Sequence, residues 1–283
     1  MDFRDKIIIV TGASSGIGWV TAEAFARRGA VVVAVARREQ NLQKLIEKCR
    51  KHSPRSIYIA GDLGQREFAE RIVDETVESF GRIDVLVNNA AISKHKHIYH
   101  VSVEEAERVM SVNFLSCVWT SFAAIPHMLR QEEATIVNVS SFAGLVVAPR
   151  EAIYGASKAA MSAFTEGLWG DLEGSGIHAA LVIPGAIDTE IWDKLDEPTA
   201  FKGKKTPPED VAEAIIEVVE KKRYQVIVPR RKLDLFAARL LRFFAPVLLR
   251  MGMRQMDPVP AEIVSKARRR AERGKRLGDL LEG

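Results

Sequence analysis

The stretch KIIIVTGASSGIG, residues 6–18, joins four consecutive apolar residues to a turn holding Gly12, Gly16 and Gly18. The helix-forming WVTAEAFARRG follows at once. A short β-branched run bounded by glycines reads as a strand buried on both faces. A glycine-rich turn between such a strand and a helix lets backbone N–H groups approach a pyrophosphate, and the helix N-terminus adds partial positive charge. Glycine is required there because a Cβ would block the approach. The pattern repeats along the chain in AVVVAVA (30–36), SIYIAGD (56–62), IDVLVNN (83–89), TIVNVSS (135–141), IHAALVIPG (177–185) and YQVIVP (224–229). Each of the first six runs precedes a longer segment of helical character, and PPEDVAEAIIEVVEKK (207–222) precedes the seventh. Strands alternating with helices predict a doubly wound, Rossmann-type, seven-stranded parallel sheet with helices on both faces, built from right-handed crossovers.

Composition agrees with one large α/β domain. The 283 residues are 47% hydrophobic and 28% charged, and no repeat, low-complexity linker or second core interrupts the chain before about residue 230. We expect a single catalytic domain over residues 1–230 and a C-terminal helical, basic, amphipathic extension over 231–283. The opening MDFRDKIIIV mixes charges with only four apolar residues, too few for a leader or a spanning helix, so a cytoplasmic protein is expected. Cys49 and Cys117 lack metal-ligand or redox spacing and read as buried thiols. The net charge of +4 is uneven. Residues 229–283 hold 14 Lys/Arg against 6 Asp/Glu, which leaves residues 1–228 at −4.

In EAIYGASK, residues 151–158, Tyr154 and Lys158 stand four apart and share a helix face. A phenol of pKa about 10 transfers protons poorly at neutral pH, and a nearby ammonium favours the phenolate. The pair therefore reads as a tuned general acid/base. Taken alone, it fits equally a surface Tyr packed on a Lys stem.

TGASSGIG, NNAA (88–91), VNVSS, YGASK and PGAIDT (184–189) occur in this order and at fitting separations, and together the chain resembles the short-chain dehydrogenase/reductase family over about residues 5–230. The resemblance implies a nicotinamide coenzyme held by Gly12, Ser14, Ser15, Gly16, Ile17 and Gly18 at the pyrophosphate. It further implies Asp62 and Leu63 at the adenine and Asn89 and Ala90 along the cleft. Tyr154 and Lys158, with Pro184, Gly185, Ile187 and Thr189, would lie around the nicotinamide. Ser141 and Tyr154 would face the substrate oxygen, Lys158 would bind the ribose and lower the Tyr pKa, and Asn113, in the helical SVNFLS, would hold a water linking Lys158 to solvent. Ala91 stands where the family usually has Gly, a costly change only if that position needs positive φ.

The second strand ends in Ala36, Arg37 and Arg38. An acid there would bind the adenosine ribose, whereas an Arg accommodates a 2′-phosphate. Arg37 therefore favours NADP(H) over NAD(H).

Residues 190–207 mix Pro, Gly, Lys and Trp192 and read as a mobile substrate lid. His95, His97 and His100 lack a carboxylate or Cys complement, so no metal is expected and the loop reads as a polar cleft mouth. In the tail, Leu233, Phe236, Leu240, Phe244 and Leu248 fall at helical spacing among Arg239, Arg242 and Arg250. Two readings stay open: packing on the core or a second subunit, and a helix lying in a membrane interface, with peripheral contact through residues 233–254. Nucleic acid is not expected, since no binding module is present. Similar extensions occur in some family members acting on lipids and steroids, which points to an apolar substrate. The expected function is NADP(H)-dependent interconversion of an alcohol with a ketone or aldehyde by a homodimer or homotetramer; the alternative is a non-catalytic NADP(H) sensor or membrane-associated scaffold.

Overall fold

The computed structural model describes residues 2–197, 199, 201–229, 240, 243–256 and 261–272. All seven predicted strands are present: β1 (Ile7–Thr11), β2 (Val31–Ala36), β3 (Ile57–Ala60), β4 (Val85–Asn88), β5 (Ala134–Val139), β6 (Ile177–Pro184) and β7 (Gln225–Val228). They form one parallel sheet in the order β3-β2-β1-β4-β5-β6-β7. The connections run outward in opposite directions from the β1/β4 pair, where Ile8 registers with Val85. At such a reversal the helices following the two strands diverge and leave a crevice beyond the strand C-termini.

Every residue of β1, β2, β4 and β5 is buried, which explains their unbroken apolar runs. Alternate residues still divide between two cores. Ile8, Val10, Val32 and Ala34 pack with Phe25 of α1 (Gly16–Arg27), Leu45 of α2 (Glu39–Arg50) and Ile215 of α7 (Pro208–Glu220). On the other face Ile7, Ile9, Val33 and Leu86 pack with Ile72 of α3 (Arg66–Phe80) and Met128 of α5 (Ser116–Met128).

α4 (Val103–Met110) starts at a Ser102/Glu105 capping box and runs through a π turn at Ser111–Leu115 into α5. The combined helix Val103–Met128 is long and apolar enough to cross a membrane, yet its buried side packs on the sheet. α6 (Ala152–Asp171) carries the Tyr/Lys pair beside α4 and the π turn. Buried polar side chains pin these helices to the strand ends. Asn88 Nδ2 donates to Asn138 Oδ1 (2.9 Å) and to Ser121 Oγ, and Asn138 Nδ2 donates to Thr165 Oγ1 (2.9 Å).

Among the described residues two further helices follow, α8 (Pro246–Met256) and α9 (Ala261–Ala271). Phe243, Phe244, Val247, Leu248 and Met251 are all more than half exposed. Leu233, Phe236, Arg239 and Arg242 lie outside the described residues.

Candidate active site

A cleft of about 1440 Å³ opens over the β1/β4 crevice. One end is the glycine-rich loop. Gly12 and Gly16 have φ of +68° and +54°, conformations that disfavour a side chain. A Cβ at Gly12 would stand 2.8 Å from Ala90 Cα, so only glycine lets β1 and the strand end at β4 approach this closely. Thr11 ties the two together: its Oγ1 accepts from Asn89 N (2.9 Å) and its carbonyl accepts from Asn89 Nδ2 (2.9 Å). Gly12, Ser14, Ser15, Gly16 and Ile17 line the cleft, as do Asn89 and Ala90. Gly18 does not. It lies behind the loop, where a Cβ would come within 2.4 Å of the Gly12 carbonyl, so it supports the cradle rather than lining it. Ala91 is outside the positive-φ residues, so its methyl costs nothing.

Ala36 and Arg37 line the same end. Arg37 is exposed, whereas Arg38 is held by all three guanidinium nitrogens. Its Nε donates to Ser14 Oγ (3.1 Å), Nη2 donates to Ser15 Oγ and Nη1 donates to Glu190 Oε2 (2.7 Å). Asp62 and Leu63 line the cleft beside them. Arg108 grips the Asp62 carboxylate with two 2.7 Å bonds from Nη2. Burial would raise the Asp62 pKa, but these bonds and one from Gly64 N outweigh it and hold it below the ordinary value.

Ser141, Tyr154 and Lys158 line the same cleft, as do Pro184, Gly185, Ile187 and Thr189, the last lying against Gly16 of the glycine-rich loop. Gly185 N donates to Val228 O at 2.7 Å, which fixes the turn after β6. Ser141 caps a short turn by accepting from Ala143 N (3.2 Å) and hydrogen-bonds the Tyr154 phenol. Lys158 is 2% exposed, and its ammonium donates to the Val139 carbonyl at 2.8 Å.

The expected tuning of Tyr154 by Lys158 is not what this pocket produces. Burial pushes the phenol up to about 12, with Ser141 opposing the rise and the Glu151 carboxylate adding to it. Burial also pulls the Lys158 ammonium down to about 8. Both charged forms are penalised because both groups are out of water, and the ammonium is directed to a strand carbonyl.

Asn113 sits in the π turn, fully buried. Its Oδ1 accepts from Ile92 N (2.8 Å), and its Nδ2 donates to Ile92 O (3.0 Å) and Ser157 Oγ (3.1 Å). The side chain therefore anchors the loop after β4 to α6, and it does not line the cleft. A π turn leaves a helix ladder locally unsatisfied, which accounts for an Asn inside a helix.

The histidine loop borders the cleft through Ser93 and Lys94, while His95 and His97 are themselves buried. His95 lines the cleft, and its carbonyl accepts from Glu197 N (3.1 Å). The Glu197 carboxylate meets His100 Nδ1 at 3.0 Å and Arg150 Nη1 at 3.5 Å. The lid segment is thus fastened to this loop. Within the lid Trp192 stacks on Phe201 (5.3 Å), and its indole N–H donates to the Ile187 carbonyl (2.6 Å).

Arg38, Arg108 and Glu190 are site residues that sequence reasoning missed. Adjacent Arg37 and Arg38 differ only in which way the backbone turns at the end of β2. Arg108 and Glu190 are distant in sequence from the groups they hold.

Fold and cleft together define a dinucleotide-binding protein of the doubly wound class. A family model described as short chain dehydrogenase matches residues 6–200, and the chain belongs to that family. An uncharacterized oxidoreductase, YxnA, of Bacillus subtilis is 36% identical over 77% of this chain and 63% of its own length. Another, from Staphylococcus saprophyticus, is 34% identical over 76% of this chain and 92% of its own. The Arabidopsis thaliana 11-beta-hydroxysteroid dehydrogenase 1A is 38% identical over 66% of this chain, but the chain spans only about half (53%) of that relative. A short chain dehydrogenase/reductase from Burkholderia phymatum, solved in complex with NAD, superposes with a TM-score of 0.79 at 25% identity, covering 92% of this chain and 98% of that one.

Proposed function

We propose that this protein is an NADP(H)-dependent oxidoreductase that interconverts an alcohol with a ketone or aldehyde on an apolar, lipid- or steroid-like substrate. One observation carries the reading. The hydrogen-bonded Ser141 and Tyr154 hydroxyls and the buried Lys158 lie in the same cleft as a glycine cradle edged by Arg37 and Arg38. The cradle suits a pyrophosphate, because Gly12 and Gly16 hold left-handed backbone conformations and bring no side chain of their own into the loop. The two arginines suit a 2′-phosphate, and β2 ends in Ala36 where an acid would repel one.

The nicotinamide coenzyme, when bound, supplies or accepts the hydride. Tyr154 gives its proton to the substrate oxygen in the reductive direction, and Ser141 hydrogen-bonds the same oxygen and orients it. A phenol held up at about 12 by burial keeps its proton at neutral pH, so it gives the proton up only when a charge in the cleft stabilises the phenolate. Lys158 supplies the cation that stabilises the phenolate left behind and binds the coenzyme ribose. Asn113 holds the loop after β4 in register with α6, where the pair sits. Val146, Ile191, Trp192, Leu195 and Phe201 give the substrate end an apolar lining, in keeping with the named activity of the Arabidopsis relative.

This reading takes residues 1–230 as the catalytic domain of a cytoplasmic homo-oligomer. The exposed Phe243, Phe244, Val247, Leu248 and Met251 are then a second contact surface, toward a subunit or a membrane. Coenzyme oxidation by the purified protein tests it, with NADPH and NADH side by side over ketones and aldehydes from small to steroid-sized. Turnover should favour NADPH and fall by roughly 10²–10⁴-fold in Tyr154→Phe. NADPH binding without turnover on any carbonyl would favour a sensor instead.

A further inference from the structure

Arg38 and Glu190 approach from opposite sides of the phosphate loop. Arg38 begins the segment after β2, and Glu190 follows Thr189 at the root of the lid. Their 2.7 Å ion pair crosses the edge of the cleft, and both residues line it together with Ser14 and Ser15. Arg38 is thus held in place by the Ser14 and Ser15 hydroxyls, which accept from Nε and Nη2, while its Nη1 is turned to an anion, and that anion is a side chain of this chain. A carboxylate offers a guanidinium the same pair of oxygens that a phosphate does. Glu190 remains charged throughout the working range, because Lys194 and Arg38 hold its carboxyl at about 2. A fixed negative charge beside a site for a polyanion opposes that polyanion unless it is neutralised or moved aside.

Resting on the coenzyme reading above, we propose that Glu190 is an internal stand-in for the 2′-phosphate of NADP(H), which occupies Arg38 until the phosphate displaces it. Displacement is inexpensive for two reasons visible in the structure. The two side chains are 41% and 45% exposed, where an ion pair contributes little. Glu190 also keeps a second cation, since Lys194 Nζ lies 2.8 Å from the same Oε2. The lid root is therefore tied to the phosphate loop before the coenzyme binds and is handed to Lys194 afterwards. Because NADH has no group to compete for Arg38, Glu190 acts on NADPH affinity alone.

The experiment is a titration of full-length protein and of Glu190→Gln with NADPH and NADH, followed by nicotinamide fluorescence and, independently, by calorimetry with 2′,5′-ADP and 5′-AMP. The amide keeps the size of the side chain and removes its charge. NADPH and 2′,5′-ADP should bind the variant tighter by on the order of fivefold, and NADH and 5′-AMP within about twofold of wild type. Unchanged NADPH affinity would overturn the inference, and so would weaker binding, which would make Glu190 a positioner of Arg38. If wild type already binds NADH as tightly as NADPH, the coenzyme reading fails and this inference with it.

Discussion

Lys158 is a charge kept in the interior at a cost, and replacing it should make the protein more stable. Its ammonium is 2% exposed, faces one carbonyl and no carboxylate, and titrates near 8 against an ordinary 10.5. At 1.36 kcal/mol per pKa unit the native state is penalised by roughly 3 kcal/mol at neutral pH. Methionine fills a similar volume without charge, while the Val139 carbonyl loses a donor, at about 1 kcal/mol. Lys158→Met should therefore gain about 2 kcal/mol at pH 7, a rise in Tm of roughly 4–8 °C, while turnover is lost.

The pH dependence carries the sign. Below about pH 8 the lysine is charged in both folded and unfolded chains, so the penalty is constant. Between about 8 and 10.5 the native chain has released the proton while the unfolded chain retains it, so wild-type stability rises with pH. The advantage of the methionine variant must shrink across that window. Urea denaturation of both proteins at several pH values between neutral and about 10 measures it. A variant less stable than wild type at pH 7, or an advantage that persists unchanged through the window, would refute the view of Lys158 as a desolvated cation.

Two other perturbations probe separate parts of the molecule. Gly18→Ala places a methyl 2.4 Å from the Gly12 carbonyl and 2.7 Å from Asn89 Nδ2, so the loop must shift. Overpacking of about 1–3 kcal/mol should lower Tm by roughly 3–10 °C and weaken both coenzymes alike, and a normal melt with normal coenzyme titrations would show that the cradle tolerates a side chain. Phe122 is 63% exposed on α5 and stacks near Phe164 of α6 (6.3 Å), an apolar face suited to a second copy of the chain. Phe122→Asp should reduce the mass measured by light scattering without changing the melt, and a wild-type monomer would dismiss this face as a subunit contact.

The sheet was legible because parallel strands buried on both faces leave unbroken apolar runs, and all seven appear where those runs lie. The Tyr154/Lys158 pairing was legible for a related reason: four residues on a helix bring two side chains to one face in almost any context. What could not be read is everything set by contacts between distant segments. Arg38 faces Ser14 and Ser15 because of the path the chain takes after β2, and its neighbour Arg37 does not. The resemblance places Asp62 at the adenine, but nothing in the sequence shows that Arg108, 46 positions away, grips its carboxylate. That His95 and His97 are buried, with the His95 carbonyl accepting from Glu197 of the lid segment about a hundred positions away, is likewise not visible in the sequence. The direction of the Tyr154 shift failed likewise, since sequence shows that a cation is near but not how little water is.

Proximity of an ammonium would make the phenol a readily ionised group, whereas burial makes it a proton donor that holds its proton until something in the cleft draws it off. The same burial leaves Lys158 short of electrostatic partners, so a negative charge forming beside it would be stabilised most at the moment it appears. A resting pocket that leaves a buried ammonium with a carbonyl as partner is poorly suited to stability, and under the proposed function it suits a step that creates an anion. The surrounding network, with Asn113 spent on Ile92 and Ser157 and the lid fastened through Glu197, is what allows a chain of ordinary composition to hold such a pair in place.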